Sequence, residues 1–520
     1  MNRRTALRSF LQLGSRGISP PMSLAMVTAG MEPHTDPLTR EDVYHLLRRA
    51  GFGPTLAQAE SFIGKTASEV VDELLGSNEE AAPTSPGTWI DAWTEDPEGA
   101  DLQTRNAIYA TWRSNMALLG NWWIGLMTTD AKSVEKMALF WSSHWTSEFS
   151  FDNTNSIPQM LYRQYLTLRA GRLSDLRTMA LDITLDATML NYLGGTFNSK
   201  GKANENYARE LMELFLTGIG WYTEGDVKEA ARVLTGWRTQ KFSDSPAPNG
   251  KYESWFDAAA HDTGAKQVLG QTIAARTADN NTAFQVKTEE VLRLIEIIVE
   301  TRNEAVSRFI AEKVYRYFVY SSHEAIDPTV IDPLAQALRD ADFELKALFR
   351  MLFTSKHFFA PEMRGAQIKT PIEYVAGLQR QLGIVDGNPQ AWVSAMDQPV
   401  MDPPTVAGWP GYRTWISTNT YPQRRDFAKK LIEKMNDTQA NALIASFDDY
   451  TDAKKFVENV VAYFLPMPVS AERMDFYVNA LMQGAPDYDW PQILNDPSAA
   501  AKRFRDLLIT ISRAPDFQLC

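Results

Sequence analysis

The sequence predicts a mainly α-helical fold, a large multi-helix single domain with a long irregular loop or hairpin insertion near residues 240–285. The chain has 520 residues, of which 44% are hydrophobic and 22% charged, so it lies in the ordinary globular range. Apolar residues recur at helical spacing along most of its length. No Gly/Ser linker or low-complexity tract divides the middle, which favours one helical domain over residues 36–520.

The first 35 residues have two interpretations. Arg3 and Arg4 open a stretch that approximates a twin-arginine export signal, and the small residues 27–29 offer a cleavage site. The Pro20-Pro21 pair interrupts the apolar core that such a signal needs, so a basic N-terminal tail is the alternative. The first interpretation predicts a periplasmic or secreted protein, and the second a cytoplasmic one.

Composition excludes several classes of protein. The formal net charge is -12, with 64 acidic against 52 basic residues, which argues against a nucleic-acid partner. Cys520 is the single cysteine, so an intramolecular disulfide and a thiolate zinc site are both excluded. No later segment approaches the roughly 18 apolar residues of a membrane span, so we expect no transmembrane segment in the mature chain.

Helix start signals and apolar periodicity locate the helices. Thr39 with Asp42, and Thr66 with Glu69, are capping boxes that each precede an amphipathic stretch. The same periodicity predicts helices over 105–128, 132–147, 157–170, 173–193, 287–300, 304–320, 330–357, 370–383, 423–446 and 451–465.

Two segments break this pattern. Residues 240–285 are dense in Pro, Gly, Asn and Asp, which predicts a long loop with a hairpin. Residues 401–417 contain Pro403, Pro404 and Pro410, which forbid a helix and predict a second structured loop.

Residues 203–237 predict a rigid helical hairpin. Asn204 is a helix N-cap, Glu205 lies in the first turn, and Arg209 follows it at the spacing of a helical ion pair. After a turn containing glycines, Thr223 stands three residues before Asp226 and begins the second helix.

Three polar residues of this hairpin, Asn206, Glu210 and Glu213, lie along one stripe at spacings of four and three. Two ionised carboxylates one turn apart repel each other, so the pair needs solvent, a cation or a shared proton. The structural alternatives are a solvated helix face and neutralisation by a buried arginine such as Arg232.

The hairpin run NENYARELMELFLTGIGWYTEGDVKEAARVLTGW resembles the signature of a large bacterial family, domain of unknown function 1800. The same resemblance extends in order to residues 38–55, 185–193, 261–272, 311–319 and 403–416. It implies a mostly helical, often exported protein, frequently encoded beside an exported protein similar to sulfatases or alkaline phosphatases. The family has no agreed activity.

The chain departs from the family at one motif. Where the family commonly has a His-x-His pair after Phe-Trp, this sequence has Ser142 and His144, so only one histidine of the pair is present. If the pair is a metal or acid/base site in relatives, that site is weakened or lost in this chain.

Further candidates lie on loops and near aromatic residues. His261 and Asp262 are neighbours in the long polar loop, while Trp409 and Trp415 present aromatic rings that stack on a ligand or pack on the helices. No zincin His-Glu-x-x-His, GxSxG, Walker or GxGxxG motif is present.

Two functions remain open. The first is an exported scaffold or ligand-binding protein that acts with the sulfatase-like partner, and its helical hairpin is structural or recognises a cationic or hydroxylated ligand. The candidate binding residues are Glu205, Asn206, Arg209, Asp262, Trp409 and Trp415. The second is a hydrolase in which Glu210 or Glu213 is the acid/base, aided by His144 or His261, or in which the carboxylates hold a cation. The sequence identifies no cofactor.

Overall fold

The computed structural model describes residues 30–149, 156–242, 250–322 and 324–520. The predicted export signal, with its cleavage site at 27–29, lies outside the described residues. Over the described part the chain is mainly α-helical with two small antiparallel sheets, which confirms the predicted fold class.

The first group of helices follows the predicted start signals. At both Thr39 and Thr66 the hydroxyl accepts a bond from the backbone N–H three residues on, and the acid at that position bonds back to the cap. These helices are Arg40–Ala50, Leu56–Phe62, Ala67–Leu75, Leu102–Thr129, Val134–His144, Pro158–Gly171, Leu176–Thr184 and Ala187–Tyr192. The predicted helix over 173–193 is therefore two helices, because the Asp186 side chain caps a new one.

Four short strands lie in and just before the insertion. Trp237–Thr239 pairs with Ser254–Phe256, with Arg238 opposite Trp255, and Lys266–Val268 pairs with Gln271–Ile273, with Gln267 opposite Thr272. Both pairs are antiparallel, which confirms the hairpin expected within residues 240–285 and adds a second strand pair. The turns Ala258–Ala260 and Ala278–Asn280 are 3-10 helical.

The two helices before the insertion are Glu205–Glu210, continued by a π-helical segment Leu211–Leu216, and Glu224–Val233. After the insertion, Ala283–Val286 runs through a second π-helical segment, Lys287–Val291, into Leu292–Thr301.

The remaining helices form the C-terminal part of the chain. They are Asn303–Phe318, Pro328–Asp340, Leu345–Thr354, Lys356–Phe359, Pro371–Leu382, Pro389–Ala395, Thr420–Glu433, Asp437–Ala445, Ala453–Phe464, Ala471–Met482, Trp490–Ile493 and Pro497–Ser512. Between them, residues 401–417 form the predicted loop and contain one 3-10 turn, Tyr412–Trp415.

The apolar helix faces meet in one large core. A continuous cluster of buried apolar side chains extends from Met31 to Phe517, and Trp123, Trp141 and Trp490 are among its largest members. The aromatic and aliphatic stripes of the sequence thus serve packing, as amphipathic helices usually do. Within the described residues, no helix has both the length and the apolar character required to cross a bilayer.

Candidate functional site

The predicted helical hairpin, residues 204–237, which we call the acidic hairpin, is fixed by its own ion pairs. The Asn204 side chain accepts a hydrogen bond from the backbone N–H of Asn206 at 3.0 Å and so caps the first helix. Arg209 lies 3.3 Å from Glu205, the predicted pair, and 2.7 Å from Glu224 on the second helix. Arg209 therefore joins the two helices.

The first helix of the acidic hairpin changes from α to π at Leu211. The π-helical segment Leu211–Leu216 ends where the backbone N–H groups of Thr217 and Gly218 both bond to the Met212 carbonyl, at 2.8 and 3.2 Å. Short π-helical segments are rare and occur often at functional sites. The extra residue in the turn displaces Glu213 from the position that uniform α-helical spacing predicts.

Glu210 and Glu213 are both half-buried. Burial, followed by the negative charge of Glu213, raises the pKa of Glu210 to about 7, and Arg209 opposes this shift. Within the described residues the Glu210 carboxylate has no hydrogen-bond or ion-pair partner. Glu213 accepts a hydrogen bond from the Tyr222 hydroxyl. Burial and this bond raise the pKa of Tyr222.

Replacing Glu210 by glutamine is expected to stabilise the folded chain above about pH 7 and to change little below about pH 4. The pKa of Glu210 is raised on folding, so ionisation at rising pH costs more free energy in the folded than in the unfolded chain. Glutamine cannot ionise and avoids this cost. Thermal unfolding midpoints of the two proteins across this pH range measure the effect.

Glu224→Gln is the matched control for this prediction. It removes a carboxylate from the same hairpin, but one whose side chain is 72% exposed and already paired with Arg209. We expect no stabilisation from it at any pH. Equal midpoints for wild type and Glu210→Gln at about pH 8 would contradict a raised pKa.

His144 lies beside the π-helical segment and contacts its backbone, not the side chains of Glu210 or Glu213. Its Nε2 donates to the Phe215 carbonyl oxygen at 2.9 Å, and its ring is surrounded by Trp141, Trp145 and Phe215. Burial, followed by the charge of Lys313, lowers the pKa of His144 to about 3. The imidazole is therefore neutral near neutral pH and holds the end of the acidic hairpin's first helix.

The loop 401–417 packs against the C-terminal end of the helix that carries His144. Gly408, at φ 86°, approaches so closely that a Cβ there would lie 2.8 Å from the Ser143 carbonyl oxygen. The Thr146 hydroxyl donates to the Val406 carbonyl oxygen. The structure thus brings the acidic hairpin, His144 and this loop together, although the sequence predicts them as separate features.

The two tryptophans of the loop differ in their surroundings. Trp415 is buried, whereas Trp409 is half-buried and its indole Nε1 has no hydrogen-bond partner among the described residues. Asp402, which the sequence analysis missed, is half-buried in the same loop. Burial, then the charge of Glu148, raises the pKa of Asp402 to about 6. Its position just before Pro403 and Pro404 is the one feature of the sequence that points, weakly, to Asp402 as a candidate site residue.

His261 and Asp262 lie in a different part of the structure. His261 Nδ1 lies 2.8 Å from the Thr235 carbonyl oxygen, and its Nε2 lies 3.4 Å from Glu290 Oε2. Asp262 pairs with Arg232 through two contacts, at 2.9 and 3.1 Å. The alternative in which Arg232 neutralises Glu210 or Glu213 is wrong, because Asp262 and Glu229 occupy its guanidinium.

Glu290 is the centre of this second site. Its carboxylate lies 2.6 Å from Lys266 Nζ and 2.5 Å from Arg276 Nε, and with His261 these residues form what we call the Glu290 cluster. All four side chains are buried. The cluster joins the strand Lys266–Val268 to the π-helical segment Lys287–Val291, and its burial indicates a structural role.

The chemistry available at the acidic hairpin follows from these positions. No described histidine contacts Glu210 or Glu213, because His144 bonds to Phe215 and His261 belongs to the Glu290 cluster. Asn206 is also engaged, since its side chain donates to the Leu193 carbonyl oxygen at 3.1 Å. In the described ranges no group of three or more His, Cys, Asp or Glu is placed to hold a metal ion. The predicted roles of these residues stay predictions.

Comparison with known proteins adds a family but no activity. No curated protein and no solved structure matches the chain. The family model described as a protein of unknown function (DUF1800) matches residues 45–519. Because this match covers far more than half of the 520 residues, the chain belongs to the family of domain of unknown function 1800.

Proposed function

We propose that this protein is an exported ligand-binding or scaffold protein, and that Glu210 and Glu213 bind a cationic or hydroxylated group. The observation that carries this proposal is the Glu210 carboxylate, which is half-buried beside a second carboxylate and has no partner among the described residues. A bound cation or hydroxyl donor would stabilise this carboxylate, because the new contact would offset the free-energy cost of its burial and of its repulsion by the second carboxylate.

Hydrolysis is the second candidate function. A pKa of about 7 for Glu210 suits a general acid or base at neutral pH, which favours this alternative. Binding is the stronger proposal because the expected helpers are occupied elsewhere. His144 is neutral and bonded to Phe215, and His261 contacts Glu290.

The proposed setting is outside the cytoplasm. The Arg3-Arg4 pair and the resemblance to a family often encoded beside exported sulfatase-like proteins support export and a partner of that kind. Replacing both arginines by lysine is expected to retain the protein in the cytoplasm of a bacterial host. Fractionation of cells that express each form measures this. Equal amounts of periplasmic or secreted protein from the two forms would contradict twin-arginine export.

Calorimetric titration tests the binding proposal. The probes are spermidine for a cationic group and a neutral oligosaccharide such as maltotetraose for a hydroxylated one. We expect one of them to bind the wild type, and Glu210→Gln or Glu213→Gln to weaken that binding by about tenfold or more, since a charge-assisted hydrogen bond contributes about 1.5 to 3 kcal/mol.

The same titrations include a control variant and also test the hydrolysis alternative. Glu224→Gln, the exposed acid of the hairpin, is expected to bind as the wild type does. Binding that is unchanged in Glu210→Gln would contradict the proposal. Cleavage of the oligosaccharide by the wild type, and its loss in Glu210→Gln, would replace binding by hydrolysis.

A further inference from the structure

An open cavity lies beside the turn of the acidic hairpin. It has a volume of about 500 Å³ and is lined by residues 220–223 of the turn and by residues 301–305. The second group spans the junction between the helices Leu292–Thr301 and Asn303–Phe318. A cavity of this volume is within the range of sites that bind small molecules.

The lining of this cavity includes an exposed tryptophan. The chain has 14 tryptophans, all within the described ranges, and Trp221 is the one among them that is exposed, with 49% of its surface accessible. The others are buried or half-buried, as is usual for so large an apolar ring. The indole of Trp221 therefore offers a flat apolar surface to a ligand in the cavity.

Contacts on both sides of this tryptophan hold the turn in place. The Trp221 carbonyl oxygen accepts a hydrogen bond from Arg302 Nε at 2.7 Å. The next residue, Tyr222, donates from its hydroxyl to Glu213. The preceding residue is Gly220, with φ 96°, a backbone conformation that glycine adopts readily. Since the backbone is already fixed, a ligand that packs on the indole does not have to order the turn.

The polar groups of the lining are balanced in charge and partly unused. Arg302 and Glu304 are its charged residues, so its formal charges sum to zero. Arg302 donates from Nε and Nη1 to the carbonyl oxygens of Trp221 and Thr301, which leaves Nη2 unused. Among the described residues, the side chains of Asn303 and Glu304 have no hydrogen-bond or ion-pair partner, and both are exposed.

This combination of groups fits a sugar ring. A sugar presents C–H groups on a face, which pack on an aromatic ring, and hydroxyl groups around its edge. The amide of Asn303, the carboxylate of Glu304 and the guanidinium of Arg302 are planar groups that can each bond two neighbouring hydroxyls. A polyamine would be repelled by Arg302, and a wholly apolar ligand would leave these polar groups without partners.

We propose that this cavity binds one ring of a neutral oligosaccharide. One face of the ring packs on Trp221, and the hydroxyl groups bond to Arg302, Asn303 and Glu304. The ligand class is thereby narrowed from a cationic or hydroxylated group to a neutral saccharide.

This inference rests on the proposed function, because the cavity adjoins the acidic pair. Tyr222 lines the cavity and its hydroxyl is bonded to Glu213. A saccharide of more than one ring would extend from the cavity past Tyr222, and its next ring would offer hydroxyl donors to Glu210. The cavity and the acids would then be two parts of one binding site.

The test is a calorimetric titration of the full chain with five neutral and two charged compounds. The neutral ones are maltotetraose, cellotetraose, xylotetraose, mannotetraose and N-acetylated chitotetraose, and the charged ones are spermidine and a heparin tetrasaccharide. We expect at least one neutral saccharide to bind and neither charged compound to do so. Binding of none of the five, or of a charged compound in their place, would overturn the inference.

Variants of the cavity locate the bound saccharide. Trp221→Ala is expected to weaken binding by about tenfold or more, because the ring supplies most of the apolar surface in contact with the sugar. Trp221→Phe should retain most of the affinity because it keeps a flat ring. Trp221→Ala leaves the carbonyl oxygen that Arg302 contacts, and its thermal unfolding midpoint checks that it folds. Tyr488→Ala, at a 77% exposed position outside the lining, is the control and should bind as the wild type does.

A second variant, Asn303→Ala, removes a partner of the hydroxyl groups and is also expected to weaken binding. Comparison with Glu210→Gln separates this inference from the proposed function. Saccharide binding that is lost in Glu210→Gln but unchanged in both Trp221→Ala and Asn303→Ala would overturn the cavity site and leave the proposed function intact. Binding that is lost in the two cavity variants but unchanged in Glu210→Gln would support the cavity site and contradict the proposed function.

Discussion

Replacing Glu290 by glutamine is expected to destabilise the folded chain by about 3 to 5 kcal/mol. The carboxylate is fully buried and lies 2.6 Å from Lys266 Nζ and 2.5 Å from Arg276 Nε. Glutamine keeps the shape but removes the negative charge, so Lys266 would remain buried without an ion-pair partner and Arg276 would keep only the exposed Glu289. Removing one partner of a buried ion pair is costly for this reason, even where the intact pair itself contributes little.

The matched control is the neighbouring residue. Glu289 also lies near Arg276, at 3.1 Å, but its side chain is 57% exposed. Exposed ion pairs contribute about 0 to 1 kcal/mol, so Glu289→Gln should have a small effect. Urea unfolding followed by tryptophan fluorescence measures both variants. Similar losses for Glu289→Gln and Glu290→Gln would show that Glu290 has no special role in stability.

The pH dependence of this loss has a defined sign. Burial raises the pKa of Glu290, but the close contacts with His261 and Lys266 lower it by more, so the net pKa is below the ordinary value. A carboxylate whose pKa is lowered by folding stabilises the folded chain at pH values above its pKa in the unfolded chain, about 4.3. This stabilisation is lost as the pH falls through the pKa of the group in the folded chain. The difference in free energy of unfolding between wild type and Glu290→Gln should therefore become smaller at acidic pH.

Replacing Glu373 by glutamine is also expected to destabilise the folded chain by about 3 to 5 kcal/mol, because Lys136 would stay buried without its ion-pair partner. Glutamine at this position can still cap its helix, where Glu373 accepts a bond from the Thr370 backbone N–H at 2.7 Å. The positive charge of Arg49 stabilises the Glu373 carboxylate, so in the variant Arg49 would add to the uncompensated positive charge of Lys136.

The control for this second prediction is a double variant. Combining Glu373→Gln with Lys136→Met removes both charges, and buried pairs replaced by neutral groups often lose little stability. Most of the stability lost in the single variant should therefore be recovered in the double variant when urea unfolding of both is measured. A double variant as unstable as Glu373→Gln alone would show that shape, and not charge, accounts for the loss.

Local signals in the sequence predict the local structure well. The capping boxes at Thr39, Thr66 and Thr223 form as predicted, because each needs only four adjacent residues. The Glu205–Arg209 ion pair forms for the same reason. By contrast, the change to π-helix at Leu211 leaves no trace in apolar spacing and depends on the packing of the surrounding core.

Contacts between distant segments could not be predicted in the same way. Lys266 and Arg276 reach Glu290 across 24 and 14 residues, and no motif connects them. The sequence does not show which distant acid pairs with Arg232, and only the folded loop shows that Asp262 contacts its guanidinium together with Glu229. The spacing of Glu210 and Glu213 identified a candidate site, but the burial of Glu210 depends on tertiary structure.

The pKa of the Glu210 carboxyl group is the most direct test of the proposed site. The carboxyl carbons of glutamate are labelled with ¹³C, and the Glu210 resonance is assigned by its absence in Glu210→Gln and followed through a pH titration. The structure predicts a midpoint at about 7. A midpoint near the ordinary glutamate value of about 4.3 would mean a solvated carboxylate with no need of a ligand, and would contradict a binding site at this hairpin.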